Sequence, residues 1–234
     1  MNQIAEDLSA YLVKRLEETS PTARLLFGIA GVPASGKSTL AQLIVDRVNA
    51  ATCGATVAGE ASIKNDIAVL IGLDGWHLTR AQLDTFPDSK LAHDRRGAHW
   101  TFDGDAYVGF VCALRKPHDP SAAKSSSVSN VIYAPSFSHT VKDPEPLSVP
   151  IYPHHRLVVI EGLYTFLGIP PWLTAAELLD ERWWVEVGDE EAEKRLVARH
   201  VRSGVAKDLS EAMWRSREND APSEYSVVLD SVLS

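Results

Sequence analysis

Cysteine is scarce in this chain. Cys53 and Cys112 are the only two, far apart and in no paired motif. That excludes a disulfide scaffold and a cysteine-built zinc site, and it fits a reducing compartment, so a cytoplasmic location is expected. Long apolar runs are also missing. No stretch approaches the ~18–20 residues of a membrane helix. The opening MNQIAEDLSAYLVKRLEE carries acids where a signal peptide carries bases, so neither a span nor a leader is expected. Positive charge is the third shortage. With 23 Lys and Arg against 31 Asp and Glu, the formal net charge is −8, which argues against gripping nucleic acid or an anionic membrane through the overall field. Apolar residues make up 45%, which excludes a disordered chain and allows a sizeable core. A length of 234 residues suits one domain, taken here as 1–234.

Periodicity sets out the elements. Ile4, Leu8, Leu12 and Leu16 recur at four-residue spacing, predicting an N-terminal amphipathic helix within residues 1–20 that ends at Ser20-Pro21. Short apolar runs at 24–30, 67–73, 156–160 and 182–187 read as buried strands. Residues 38–49, 103–115 (with Asp103 as N-cap), 189–203 and 208–218 read as helices. Asn130–Ala134 and the tail 225–232 are weaker strand candidates. Residues 117–129, rich in Pro, Ser and Ala, read as a mobile loop, and the proline-bearing 135–155 as an irregular one. Apolar strands alternating with helices predict an α/β fold: a mostly parallel, five-stranded sheet covered on both faces, with ligands beyond the carboxyl ends of the strands.

The most specific motif is Gly31-Val32-Pro33-Ala34-Ser35-Gly36-Lys37-Ser38, a full match to the Walker A phosphate loop. A chance match in such a chain has a probability of roughly 1%. Glycines let successive backbone N–H groups curl around phosphate oxygens, and the following helix adds its positive end. Lys37 can reach the β- and γ-phosphates, and the Ser38 hydroxyl can ligate Mg²⁺. Gly31, Ala34, Ser35, Gly36 and Thr39 complete the nucleotide-binding set.

Two acids follow other strand ends. Asp74 precedes Gly75-Trp76-His77 and fits either a base for a substrate hydroxyl or an ordinary turn aspartate. Glu161 ends Leu-Val-Val-Ile-Glu, which reads as a Walker B strand with Glu for Asp, suited to orienting Mg²⁺ or its waters. Arg195, Arg199 and Arg202 share one helix face. They form either a lid over nucleotide phosphates or a solvated stripe paired with Glu190, Glu191 and Glu193. Residues 93–103 gather hydrogen-bonding groups. No metal-binding histidine spacing appears, so His77, His99 and His139 are read as acceptor recognition rather than ligands. Trp76 and Trp100 flank these motifs as candidate pocket walls. At least one of Trp183 and Trp184 is expected to be buried.

Taken in order, GVPASGKST, LDGWH, RRGAHWTFD, YAPSFSHTVKDP, VVIEGLY and RLVARHVRSG resemble the phosphoribulokinase/uridine kinase family of P-loop kinases, and within it the pantothenate-kinase-like branch. The resemblance runs from about residue 24 to about 222. It implies transfer of the ATP γ-phosphoryl group to a small-molecule hydroxyl, with ATP and Mg²⁺ required. It implies Asp74 as catalytic base, Lys37 and Ser38 at phosphate and Mg²⁺, Glu161 as the Walker B acid, and Arg199 and Arg202 as lid residues. It places Arg95, Arg96, His99, Tyr133, Phe137 and His139 at the acceptor, within a region spanning 75–155, and the lid with its flanking helices at 189–218. Tyr133-Ala134-Pro135-Ser136-Phe137 only loosely matches the Tyr-Asp-Phe segment of uridine kinases. The acceptor therefore stays open among nucleosides, sugars and pantothenate-like compounds. A regulatory P-loop ATPase without an acceptor is the alternative. A homodimer is compatible with the sequence, which does not fix the oligomeric state.

Overall fold

The computed structural model describes residues 1–52, 66–118, 130–138, 140–202, 207, 208, 210 and 213. Cys53, His139, most of the 117–129 loop, the expected 208–218 helix and the tail strand lie largely or wholly outside them. Among the described residues the central sheet has four parallel strands rather than five: β1 (Leu25–Gly31), β2 (Ala68–Gly72), β5 (Leu157–Glu161) and β6 (Glu181–Val185), in the order β2-β5-β1-β6. Every residue of β1 is buried, as expected for an inner strand covered on both faces.

Alternate side chains go to opposite faces of the sheet. Leu25, Phe27, Ile29, Leu157 and Val159 pack against α1 (Asn2–Glu18) and α2 (Lys37–Thr52) through Leu12, Leu16, Leu40, Ile44 and Val48. Leu26, Ile71, Val158 and Ile160 face the second core. That core also holds Tyr107, Phe110 and Leu114 of α5 (Gly104–Leu114) and Trp172 of α6 (Trp172–Glu177). Asp103 caps α5, its carboxylate accepting from the Ala106 N–H at 2.9 Å, as the sequence predicts. The ends of α1 are pinned differently. Arg156 donates to the Leu16 and Thr19 carbonyls at its C-terminus, and Met1 lies against the phosphate loop at its N-terminus. Thus α1 and α2 both start at the carboxyl edge of the sheet.

The stretch 135–155 departs from expectation. It forms a hairpin of β3 (Ile132–Ser138) and β4 (Asp143–Ile151), antiparallel, with an irregularity between Ala134 and Ser136. Prolines do not prevent this. Each strand of a two-stranded ribbon has an outward edge where a missing N–H costs nothing, and Pro135 falls at the bulge. Residues 80–101 are also more ordered than a loop, with short helices α3 (Arg80–Leu83) and α4 (Ser89–Asp94). The Thr79–Gln82 capping box starts α3. Two expectations for tryptophan change. Trp76 belongs to the core, 4.9 Å from the Phe110 ring, whereas Trp100 is exposed beside Phe86. Trp183 and Trp184 are both half-buried, because among the described residues β6 lies at the edge of the sheet; Trp183 packs edge-on against Phe27 at 4.4 Å. No helix among the described residues is long and apolar enough to cross a membrane.

Candidate active site

The loop 31–38 joins the end of β1 to the start of α2. Its conformation is specialised. Gly36 has φ +95° and Ala34 φ +64°, so the chain reverses through two left-handed residues. Gly31 is pressed against β6: a Cβ there would lie 2.7 Å from the Val185 carbonyl oxygen and 2.8 Å from Ser35 Oγ. Ser35 is buried, and its hydroxyl has no hydrogen-bond partner among the described residues. A buried hydroxyl inside a loop of this shape fits an anion. Lys37 begins α2, and Ser38 and Thr39 are exposed on its first turn.

Ser38 Oγ donates to Glu161 Oε2 at 3.0 Å. Glu161 is the last residue of β5, next to β1 in the sheet. Two hard oxygen donors thus meet beside the phosphate loop. The pair suits Mg²⁺, which takes one or two protein oxygens and completes its shell with water and phosphate. Among the described residues no group of three or more His, Cys, Asp or Glu could hold a metal by itself.

The two acids are joined by glycine contacts. A Cβ on Gly162 would lie 2.3 Å from Leu73 Cβ, so the residue after Glu161 packs directly on the residue before Asp74. Asp74 sits in a 3₁₀ turn, Leu73–Trp76, immediately after β2. Its side chain is 57% exposed. Gly75 continues the chain of contacts, since a Cβ there would lie 2.4 Å from the Pro135 carbonyl oxygen of the hairpin. A glycine after each acid is therefore a packing requirement, beyond any turn preference.

His77 completes the turn. Its Nδ1 is 2.9 Å from the Asp74 carbonyl oxygen, and its ring lies 3.9 Å from Phe102 and 5.0 Å from Phe137. Arg96 bridges to the hairpin, donating to Asp143 Oδ1 at 2.8 Å, the Leu78 carbonyl at 2.8 Å and the Lys142 carbonyl at 2.5 Å. Burial pushes the Asp143 carboxyl up, but bonds from the Arg80 backbone and the Arg96 and Arg80 side chains outweigh it and hold the group below its usual value. Arg95 ends α4, and His99 lies in a second 3₁₀ turn, edge-on to Tyr164 at 6.1 Å. Tyr133 is exposed on β3 and shares no ring contact with His77.

The helical segment α7 (Asp189–Arg202) is present. Arg195 pairs with Glu191 at 2.7 Å on its exposed face. Arg199 and Arg202 belong to its last turns; their side chains lie outside the described set. The structure thus brings the phosphate loop, Ser38, Glu161, Asp74, His77, Arg96 and Phe137 to one edge of the fold. Asp143 and Pro135 had no local sequence signal, because their partners lie 47 and 60 residues away.

Comparison with known proteins decides the family. No family model matches the chain. A Schizosaccharomyces pombe protein described as "Putative uridine kinase C227.14" is 33% identical over 219 residues, covering 92% of this chain and 84% of its own length. The chain belongs to the phosphoribulokinase/uridine kinase family of P-loop kinases. This kinase is also 44% identical, over 148 residues, to the "ATP-dependent kinase-like protein notR'" of Aspergillus versicolor, covering 63% of this chain and 82% of the relative. The Kluyveromyces lactis "ATP-dependent kinase YFH7" is 28% identical over 184 residues, and the match spans 67% of this kinase and about half (52%) of that relative. The fold recurs in the crystal structure of Saccharomyces cerevisiae YFH7, with a TM-score of 0.76 at 21% identity over 97% of this chain and 94% of that one. It recurs again in a "putative fructose transport system kinase" from Silicibacter, with a TM-score of 0.73 at 24% identity and 94% coverage of both chains.

Proposed function

We propose that this kinase transfers the γ-phosphoryl group of ATP to a hydroxyl of a nucleoside, sugar or pantothenate-like acceptor, as a single domain over residues 1–234. The observation that carries this reading is the contact path from phosphate loop to Asp74. Ser38 bonds Glu161 at 3.0 Å, Gly162 packs on Leu73, and Asp74 follows next in the chain. A nucleotide tail in the loop would lie beside an exposed carboxylate.

The loop amides and Lys37 bind the triphosphate, with Gly31, Ala34, Ser35, Gly36 and Thr39 shaping the cradle. Ser38 would hold Mg²⁺, with Glu161 orienting the hydroxyl and the ion's waters, and the ion when bound would neutralise charge on the phosphates. Asp74 accepts the proton of the acceptor hydroxyl as its oxygen attacks phosphorus in line and the bond to the ADP oxygen breaks. His77, held between two phenylalanines, keeps the turn that presents Asp74 in place. Arg95, His99, Tyr133 and Phe137 line the acceptor; His139, which the family resemblance adds to this set, lies outside the described residues. Arg195, Arg199 and Arg202 on α7 act over the phosphates and exclude water, a competing acceptor. ATP as donor is supported by the "ATP-dependent kinase" names of two relatives. A small polar acceptor, a cytoplasmic setting and no nucleic-acid partner follow from the same reading.

The test is ADP release from Mg-ATP against uridine, other nucleosides, fructose, sugar phosphates and pantothenate. One compound should stimulate turnover. Asp74→Asn should still bind ATP while transfer falls by roughly 10²–10⁴. Turnover that no acceptor changes would favour a regulatory ATPase instead.

A further inference from the structure

The hairpin β3–β4 is held on the Asp74 turn at three places. Gly75 meets Pro135, Phe137 lies 5.0 Å from the His77 ring, and Arg96 grips the turn of the hairpin. Only the third contact is ionic. Asp143 opens β4, facing Ser138 across the turn. Its carboxylate accepts from Arg96 Nη2 at 2.8 Å, and from the backbone and Nε of Arg80 at 2.9 and 3.4 Å. Arg80 starts α3, a few residues beyond Asp74. The Arg96 side chain is 15% exposed and Asp143 24%. Both Arg96 Nη atoms are committed to protein oxygens, and its guanidinium carbon sits 5.6 Å from the Phe137 ring centre. Its Nε is buried and has no partner among the described residues.

An arginine placed to hook an acceptor anion would turn its paired Nη donors to the site. Here those donors close a fork on Asp143 and two main-chain carbonyls from separate segments, a geometry that only a planar guanidinium satisfies. We propose that Arg96 is a positioning residue: paired with Asp143, it locks the hairpin over the turn that carries Asp74 and so fixes the acceptor-side wall of the site. The proposal rests on the kinase reading above for its functional meaning. The lock itself does not.

The lock and the hook predict different mutant patterns. In the lock, Asp143→Asn and Arg96→Gln damage the same device. Both should raise the acceptor KM, by about tenfold, with the KM for ATP within twofold of wild type. The double variant should be no worse than Asp143→Asn alone, because partners in one contact are not additive. Arg96→Lys should not restore the acceptor KM, since an ammonium cannot span the three oxygens. Kinetics would use Mg-ATP and whichever compound of the acceptor screen, uridine included, stimulates ADP release. Hydrogen exchange of peptides covering 132–138 and 143–151 supplies a readout that needs no acceptor. Both single variants should exchange several-fold faster there, with α1 and α2 unchanged. Unaltered hairpin exchange in both variants would overturn the lock. So would a raised acceptor KM in Arg96→Gln with a normal one in Asp143→Asn, the pattern of an anion hook. If no compound stimulates turnover, the kinase reading fails, and the exchange data still decide the lock.

Discussion

Ser38, on the first turn of α2, and Glu161, at the end of β5, are 123 residues apart in sequence and share a hydrogen bond of 3.0 Å. The hydroxyl proton goes to the carboxylate, which leaves the Ser38 oxygen lone pairs directed elsewhere. A cation held by that oxygen would keep the hydrogen bond intact. The carboxylate would fix the hydroxyl's orientation, as partners of metal ligands commonly do.

Glu161→Gln should therefore raise the Mg²⁺ concentration for half-maximal turnover by about 10–100-fold. Folding should be little changed, because the amide oxygen still accepts from Ser38. A magnesium titration of ADP release checks this. An unchanged half-point would remove Glu161 from the metal site.

Gly75→Ala should be far worse than a typical glycine-to-alanine change. The new methyl would meet the Pro135 carbonyl carbon and oxygen at 2.7 and 2.4 Å. Backbone on both sides resists, so the hairpin must shift. A loss of roughly 1–3 kcal/mol is expected from overpacking, together with a fall in transfer rate as the Asp74 turn moves. Gly109→Ala makes the control, since nothing lies within 4 Å of a Cβ there. Denaturant melts of the two variants give the comparison.

Ala34 carries φ +64° in the phosphate loop, a region that costs a side-chain-bearing residue about 1–2 kcal/mol. Glycine would relieve that strain while adding about 0.4–1 kcal/mol of unfolded-state entropy. Ala34→Gly should be neutral or slightly stabilising. Ala34→Val should be clearly destabilising, because a β-branched residue is a true outlier there. Thermal melts of the three proteins should rank Gly at or above Ala, and Ala above Val.

His155 predicts how stability depends on pH. It is buried, and its Nδ1 accepts from the Tyr152 N–H at 3.1 Å. Burial, with His154 and the Arg24 cation adding to it, lowers its pKa from 6.5 to about 4. Below pH 6.5 the unfolded chain takes up a proton that the folded one refuses. Stability should fall between about pH 6.5 and 4, then level off for this group. The contribution is roughly 2–3 kcal/mol after allowing for partial solvent screening. His155→Gln should flatten that part of the curve in urea melts taken across the range. A slope equal to that of the native chain would assign the effect to other groups.

Much of the fold was legible because its signals are local. The four strands of the central sheet, α1, α2 and the Asp103 cap follow from apolar runs, spacing and one capping side chain, although β6 is half-buried rather than buried. The phosphate loop and the two acids were equally visible, since each lies beside a strand end. The hairpin was legible only at its start, where the strand candidate 130–134 overlaps β3; its return arm was not. Its prolines argue against strands under rules learned on wide sheets, and a two-stranded ribbon escapes them. Nor could the sequence show why glycine follows each acid, or that Arg96 bonds Asp143. Those facts depend on segments distant along the chain, whose meeting is set by the sheet order. The half-burial of Trp183 and Trp184 has the same origin: an apolar run does not reveal that its strand lies at an edge.

Asn49, on the last turns of α2, accepts from the Ala68 N–H at 2.8 Å and donates to the Ala68 carbonyl at 3.0 Å. One side-chain amide thereby imitates a neighbouring strand at the first residue of β2, and pegs where that strand begins. Counting forward from the peg sets the place of Asp74. The helix proposed to grip phosphate at its front end would thus also set, from its rear, the reach of the carboxylate. In the proposed reaction the donor and acceptor halves would be geared to a single rod, and a slip at Asn49 would put them out of step without touching either.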